Sequence, residues 1–255
     1  MVLDFHEFSK EEYELRFEKA RGLMNRYGFE AILVGDEKNY RYFTGDRPPT
    51  KNRPTFILLP LTGGPIVIAS DFGAKTAKFI TYVSDVRGYP MPFTYGIVAD
   101  AIRSLGVNRV GVEYDDRIFG AFHSPMQWGE FDRMKSDLSN VGFPDASKLL
   151  WELRLIKTEA EIECLKKAAA ITSEAFRRTF AEAKEGMREK DVAALVSSHM
   201  ALLGADIPFR GKPGPSSLVI LDANHSPGEP PIPTDKPLQK GDILHIDGGA
   251  IYRGY

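Results

Sequence analysis

Residues 238–249 read L-Q-K-G-D-I-L-H-I-D-G-G, and this stretch decides how the rest of the chain is interpreted. Lys-Gly-Asp is a turn signal, and the alternation after it predicts a strand over residues 243–247. Successive side chains of a strand point to opposite faces, so Ile243, His245 and Asp247 share one face and Leu244 and Ile246 share the other. An imidazole and a carboxylate that point inward cost free energy unless something binds them. The stretch therefore predicts an inward-facing binding site.

Composition and charge narrow the class of protein. The 255 residues are 43% hydrophobic and 27% charged, which is typical of a soluble globular chain with one large or two ordinary domains. A net charge of -2 leaves no excess of basic residues, so we expect no nucleic-acid partner. There is no secretory signal and no apolar run that would span a bilayer, so no membrane partner is expected. Cys164 is the single cysteine, which excludes an internal disulfide and favours a cytoplasmic location.

The first part of the chain, residues 1–150, alternates helical and strand patterns. Ser9 and Gly28 predict the cap and the end of a helix over residues 10–27. Thr62-Gly63-Gly64 predicts a hairpin between strands at 55–61 and 65–69. Further strands are predicted at 30–35 and 109–113, and further helices near 71–82, 94–105 and 130–138. This order predicts an α/β domain with a mixed sheet.

The second part, residues 151–255, begins with two long helices. Thr158 and Glu161 form a capping box at the start of a helix that runs to about residue 183. Its predicted apolar stripe comprises Ile162, Leu165, Ala169, Thr172, Phe176 and Phe180. A second helix is predicted over residues 189–203 and a strand over 217–221. His199, on the face of the second helix, is expected to have no chemical role.

Two loops carry candidate functional residues. His225 follows the strand at 217–221 among polar neighbours, where an active-site role and a structural role in the loop both remain open. Arg47 and Arg53 lie in a proline-rich loop at 46–54, which suits either a cleft or subunit contact or an ordinary solvated surface.

Three segments together resemble a known family, the pita-bread metallohydrolases, which include Xaa-Pro aminopeptidases, prolidases and creatinases. Residues 39–45, N-Y-R-Y-F-T-G, resemble the N-x-x-Y-x-T-G signature of the amino-terminal domain. Residues 153–162 resemble the helix entry of the catalytic domain, and residues 237–255 resemble the strand pair that carries the first metal ligand. The resemblance implies a creatinase-like mixed-sheet α/β domain, 1–150, followed by the first part of an α+β pita-bread catalytic domain, 151–255.

The resemblance also implies a binuclear site for manganese, cobalt or zinc. Asp247 aligns with the first aspartate ligand, and His225 aligns with the histidine that stabilises the tetrahedral intermediate. His245 would line the pocket or touch the metal site. The remaining ligands would lie beyond Tyr255, so we expect an incomplete catalytic domain that is inactive by itself. Family members are usually homodimers, and the loop with Arg47 and Arg53 is a candidate to reach the partner's active site.

Three functions remain open. The first is a metal-dependent hydrolase of the Xaa-Pro aminopeptidase or dipeptidase type, which cleaves short proline-containing peptides with a metal-bridging water. The second is a creatinase-like amidinohydrolase or a dimethylsulfoniopropionate lyase on the same fold, a reading favoured by the proline-rich insertion at 228–234. The third is a non-catalytic binding module, against which the presence of Asp247 argues.

Overall fold

The structure is a computed structural model that describes residues 5–46, 53–93, 95–113, 128–206, 219–221 and 233–255. Arg47 and His225 lie outside the described residues. The chain divides into two compact units, unit 1 over Met1–Ile156 and unit 2 over Lys157–Tyr255.

Unit 1 contains one five-stranded sheet with helices on both faces. Its elements in chain order are α1 (Lys10–Tyr27), β1 (Ala31–Val34), α2 (Glu37–Thr44), β2 (Phe56–Pro60), β3 (Ile66–Ser70), α3 (Asp71–Ile80), β4 (Asp85–Tyr89), α4 (Gly96–Leu105), β5 (Val110–Val112), α5 (Trp128–Asp137) and α6 (Ser147–Leu155). The strand order is β4-β3-β2-β1-β5. Strands β1, β2 and β3 pair antiparallel, whereas β5 joins β1 and β4 joins β3 in parallel. The predicted mixed sheet with its inserted hairpin is confirmed.

The central strands are buried on both faces because each face is covered by helices. In β1, Ile32 and Val34 pack into one core with α1, α2 and α6. Ala31 and Leu33 of the same strand pack into the other core with α4 and α5. The period-2 alternation of a strand therefore divides the apolar residues of unit 1 between two cores.

Strand β4 and helix α6 of unit 1 were not predicted from the sequence. Strand β4 has the sequence D-V-R-G-Y, which lacks an apolar alternation, and it forms because it pairs along its whole length with β3. Helix α6 begins at Ser147, whose backbone N–H donates to Asp145 Oδ1 at 2.9 Å. The signal for α6 was present in this Asp-x-Ser start and in the apolar residues Leu149, Leu150 and Leu153, all of which are buried.

The described residues of unit 2 form two helices and a two-stranded sheet. Its elements are α7 (Glu159–Glu182), α8 (Glu189–Leu202), β6 (Val219–Leu221) and β7 (His245–Asp247). The capping box of Thr158 and Glu161 is present, as predicted. Strands β6 and β7 pair antiparallel, with Val219 opposite Asp247 and Leu221 opposite His245.

The predicted apolar stripe of α7 is wrong by one position. The buried residues of the helix are Glu161, Cys164, Ala168, Ile171, Ala175 and Thr179, while Leu165 and Phe180 are 42% and 50% exposed. The two stripes have the same helical period, so periodicity alone does not distinguish them. Small residues such as Ala175 lie on the buried face and pack against α8 residues such as Val196. This close packing places the larger side chains at the rim or in solvent.

In the part of the chain that the structure describes, no helix has the length and apolar character needed to cross a membrane.

Candidate functional site

Strand β7 carries the two side chains that the sequence analysis placed together. His245 and Asp247 are exposed, whereas Leu244 and Ile246 are half-buried and pack against Val192 and Leu238. The predicted alternation is therefore confirmed. The predicted inward orientation is wrong, because the face with His245 and Asp247 is the exposed one. In this environment neither group carries the free-energy cost of a buried, unbound polar group.

The donor chemistry of β7 fits a divalent cation, but the number of donors does not complete a site. A carboxylate and an imidazole two residues apart on one face are ligand types that manganese, cobalt and zinc accept. Within the described ranges, no group of three or more His, Cys, Asp or Glu side chains is arranged to hold a metal ion. Two donors are fewer than a stable metal site needs. Asp247 and His245 thus form at most part of a metal centre.

The backbone that leaves β7 is bound to helix α7. The Ala250 N–H donates to Thr172 Oγ1 at 2.8 Å, and the same hydroxyl donates to the Ala168 carbonyl of the preceding helical turn at 2.9 Å. Thr172 belongs to the predicted apolar stripe of α7, so its contact with Ala250 was not predicted. Thr172 and Ala250 are 78 positions apart, and no local sequence pattern indicates that they form a hydrogen bond.

A tight turn follows at residues 251–255. Its backbone is left-handed at Arg253, with φ 49°, and at Gly254, with φ 88°. The Arg253 N–H donates to Asp206 Oδ1 at 3.1 Å, and the Gly254 N–H donates to Asp206 Oδ2 at 3.0 Å. The Asp206 N–H in turn donates to the Ile251 carbonyl at 2.7 Å. One aspartate thus closes the turn from both sides.

Glu161 is a further contact between this turn and α7. The Tyr255 hydroxyl donates to Glu161 Oε1 at 2.8 Å, while Glu161 Oε2 accepts from the Thr158 N–H at 2.8 Å. The glutamate of the capping box therefore has a second role that its sequence context did not indicate. Thr172, Asp206 and Glu161 together hold residues 250–255 against the helices of unit 2.

In unit 1, Asn39 of the N-x-x-Y-x-T-G signature lies in a buried polar network. Its Nδ2 donates to Glu113 Oε1 at 2.7 Å, and its Oδ1 accepts from Arg154 Nη1 at 2.9 Å. Glu113 Oε2 also accepts the N–H groups of Gly35 and Asp36, at 2.5 and 2.8 Å. The network ties the end of β5 to the start of α2 and to α6.

Burial dominates the ionisation of Glu113. The residue is only 1% exposed, and burial raises the pKa of its carboxyl to about 7 although its three hydrogen-bond donors lower it. A carboxylate with no exposed surface and an internal set of partners has a structural role in unit 1.

The end of the signature fixes the backbone up to Asp46, the last described residue of this segment. Thr44 Oγ1 donates to the Tyr40 carbonyl at 2.8 Å and accepts from the Asp46 N–H at 3.1 Å. Gly45 ends α2 with φ 71°. Where the described chain resumes, the Tyr89 hydroxyl donates to the Pro54 carbonyl at 2.7 Å. Arg53, a predicted pocket residue, is half-buried next to this contact.

Two protein-family models match this chain, one within unit 1 and the other within unit 2. Residues 16–156 match the model of the creatinase/prolidase N-terminal domain. Residues 163–255 match the model of metallopeptidase family M24.

The chain belongs to the creatinase/prolidase family.

This chain spans only 62% and 59% of the length of two relatives in the creatinase/prolidase family. An uncharacterized peptidase of Bacillus subtilis, YqhT, is 27% identical over 246 residues, which are 94% of this chain and 62% of the relative. The Xaa-Pro dipeptidase of Pyrococcus horikoshii is 24% identical over 234 residues, which are 91% of this chain and 59% of the relative. The structure of the Xaa-Pro dipeptidase from Bacillus anthracis superposes with a TM-score of 0.77 at 22% identity, over 95% of this chain and 62% of that one. The two-domain prolidase-like fold is thus confirmed, and the M24 domain is present in part.

The site residues expected of a creatinase/prolidase member lie in separate parts of the chain. Asp247 and His245 share the exposed face of β7 in unit 2, and Arg53 lies in unit 1. Arg47 and His225 are outside the described residues. Metal ligation by Asp247 and a catalytic role for His225 therefore stay predictions.

Proposed function

We propose that the complete protein is a metal-dependent hydrolase of the Xaa-Pro aminopeptidase or dipeptidase type, which cleaves short proline-containing peptides. The observation that carries the proposal is the position of Asp247. It ends a strand inside the M24 match, on an exposed face that it shares with His245. Relatives named Xaa-Pro dipeptidase support this choice of reaction.

In the proposed reaction, Asp247 supplies one carboxylate to a pair of divalent ions, manganese, cobalt or zinc. Such ions, when bound, polarise the scissile carbonyl and lower the pKa of a water molecule that attacks it. Because Asp247 is exposed, it can ligate an ion without first losing a buried hydrogen bond. His245 is a second donor on the same face, or lines the pocket next to it.

His225 acts on the substrate side. In the proposal its imidazole donates a hydrogen bond to the carbonyl oxygen, where negative charge develops as the water adds. Peptide hydrolysis then releases the two parts of the peptide, with the proton of the water transferred to the leaving nitrogen. Arg47 and Arg53 are proposed to line the pocket of a partner subunit in a cytoplasmic homodimer.

The test uses the full-length protein, freed of metal and then reloaded with Mn²⁺, Co²⁺ or Zn²⁺. We expect release of proline from an Xaa-Pro dipeptide with at least one metal, and much slower cleavage of the matching Xaa-Ala dipeptide. Asp247→Asn should lower kcat/KM by about a hundredfold or more, because charge stabilisation in an active site is worth several kcal/mol. Asp242→Asn is the matched control, since Asp242 is a nearby aspartate that accepts only the Gln239 N–H of its own turn.

No proline release with any of the three metals contradicts the peptidase. Turnover of creatine or of dimethylsulfoniopropionate under the same conditions would then support the second reading of the fold. Full activity of Asp247→Asn would remove Asp247 from the metal site.

A further inference from the structure

Arg253 and Gly254 form an anion-binding turn inside unit 2. Both residues have left-handed φ values, and Arg253 is the only non-glycine residue with a positive φ in the described ranges. Arg253 and Gly254 are the central residues of a turn that the backbones of Tyr252 and Tyr255 close, with hydrogen bonds of 2.8 and 3.1 Å between them. In such a turn, successive N–H groups can point towards one anion. In this structure the carboxylate of Asp206 fills the site, with one oxygen on each N–H.

The carboxylate follows a hydrogen-bonded and buried helix end. Asp206 follows the end of α8, where the Ala205 N–H donates to the Met200 carbonyl at 3.0 Å and Ala205 is buried in the helix core. The Asp206 N–H donates to the Ile251 carbonyl. The turn is therefore fastened to α8 by three hydrogen bonds from one residue.

The same turn lies a short distance along the chain from the proposed metal ligand. Only residues 248–252 separate Asp247 from Arg253, and Ala250 in the middle is bound to Thr172. Two of these five residues are glycines, so the segment has little intrinsic stiffness. Its course after Asp247 is fixed by α7 at Ala250 and by Asp206 at Arg253 and Gly254, in addition to the backbone pair of Tyr252 and Tyr255 inside the turn.

We propose that Asp206 is a positioning residue for the reaction. By filling the Arg253–Gly254 site, its carboxylate fixes the backbone that leaves β7 and so the direction of the Asp247 side chain. The catalytic part of this proposal rests on the proposed function, whereas the structural part does not. An amide at position 206 offers one acceptor oxygen, and its NH₂ group would face the second backbone N–H. A carboxylate is therefore required, not only a polar side chain of the same shape.

The experiment compares Asp206→Asn with Asp191→Asn in the full-length protein. Asp191 is the matched control, because it is also an aspartate of unit 2 that accepts a backbone N–H, that of Arg188, at 3.0 Å. Amide hydrogen exchange at residues 250–255 should accelerate by about tenfold or more in Asp206→Asn, since charge-assisted hydrogen bonds are lost. The value of kcat for an Xaa-Pro dipeptide should fall by about tenfold with little change in KM, because a displaced reacting group slows chemistry more than binding. Asp191→Asn should change neither measurement.

A second variant tests the anion site directly. In Asp206→Ala, added formate should slow the exchange of residues 250–255 again and restore part of kcat, because formate replaces the missing carboxylate. The same formate should leave Asp191→Asn unchanged.

Unchanged exchange in Asp206→Asn would overturn the proposal. Faster exchange with an unchanged kcat would also overturn it, because the turn would then be fixed without consequence for the reaction. If the wild-type protein cleaves no Xaa-Pro peptide, the proposed function fails. The exchange and formate measurements need no activity, and they still decide whether Asp206 holds the turn.

Discussion

Two residues of the N-x-x-Y-x-T-G signature stabilise unit 1 through hydrogen bonds to neighbouring segments. Asn39 joins Glu113 to Arg154, and Thr44 bonds to the backbone at both ends of the last turn of α2. Asn39, Glu113 and Thr44 are buried, so each needs an internal partner. The segment that makes the family recognisable thus fixes α2 and the residues directly after it within unit 1.

Gly45→Ala should destabilise unit 1 by about 2–5 kcal/mol, the sum of a left-handed φ and a steric overlap. An added Cβ at this position would overlap the hydroxyl of the buried Tyr13 and lie 3.3 Å from its Cζ. Gly28→Ala is the matched control, because Gly28 also has a positive φ, 69°, but has no atom within 4 Å of an added Cβ. It should cost only about 1–2 kcal/mol.

Urea unfolding followed by tryptophan fluorescence measures both variants. The two tryptophans of the sequence, Trp128 and Trp151, lie in unit 1. An equal loss of unfolding free energy in the two variants would show that the overlap with Tyr13 does not contribute to the destabilisation.

Glu113 should make the stability of unit 1 depend on pH. Its pKa is raised from 4.5 to about 7 in the folded protein, so between these values the folded state holds a proton that the unfolded state has released. The contribution of Glu113 to the free energy of unfolding should therefore be fully present below pH 4.5 and should fall as the pH rises through 7, by up to about 3 kcal/mol. Urea titrations from pH 5 to 8 measure this slope.

Glu113→Gln should remove that slope, because the amide does not titrate. Glu30→Gln is the control, since Glu30 also accepts two backbone N–H groups beside β5, from Asn108 and Arg109, but in an exposed position. It should leave the slope in place. A slope that persists in Glu113→Gln would assign the pH dependence to other groups.

At the scale of the element, α7 is a scaffold for the segment after β7. Its buried face packs on α8 through small residues such as Ala175. Thr172 lies beside that face and reaches Ala250. The helix therefore contributes one hydroxyl and one carboxylate, Glu161, to the backbone that follows Asp247.

Thr172→Val should leave the Ala250 N–H without its partner and destabilise the segment by about 1–3 kcal/mol. Exchange of the Ala250 amide should rise accordingly, whereas Thr172→Ser, which keeps the hydroxyl, should remain close to wild type. Thr179→Val is a further control, because the Thr179 hydroxyl donates only within α7, to the Ala175 carbonyl. The same exchange rate for Ala250 in Thr172→Val and Thr179→Val would contradict the assignment.

At the scale of the whole molecule, the two units differ in the size of their cores. Both large apolar cores, on the two faces of the five-stranded sheet, consist of unit 1 residues. The described cores of unit 2 are small clusters around residues such as Ile171 and Val192. Its described sheet has two strands, and a two-stranded sheet is marginally stable by itself.

A fragment of residues 1–156 should therefore fold alone, with a cooperative urea transition and a change in tryptophan emission on unfolding from the half-buried Trp151. A fragment of residues 157–255 should not fold alone. Circular dichroism and amide exchange of the two fragments measure this difference. Cooperative unfolding of the 157–255 fragment would show that its cores suffice.

Most of the fold was predictable because its signals are local. Ser9 and Gly28 bound α1, and the Thr62-Gly63-Gly64 turn joins β2 to β3, as predicted. Strand β4 was not predictable, because its residues pair with β3 without an apolar pattern of their own. At the candidate site, the alternation of β7 was predictable from the period of a strand, but the exposure of Asp247 depends on what packs against each face.

The amino-acid sequence by itself determined the helices with caps, the mixed sheet of unit 1, the alternation around Asp247 and membership of the creatinase/prolidase family. These follow from hydrophobic period, capping and turn chemistry, which act over a few residues. Only the tertiary structure decided which stripe of α7 is buried, where Asn39 and Glu113 find their partners, and that Asp206 fills the turn at Arg253 and Gly254. Those contacts join residues from 47 to 115 positions apart, and packing in three dimensions, which no local pattern encodes, brings them together.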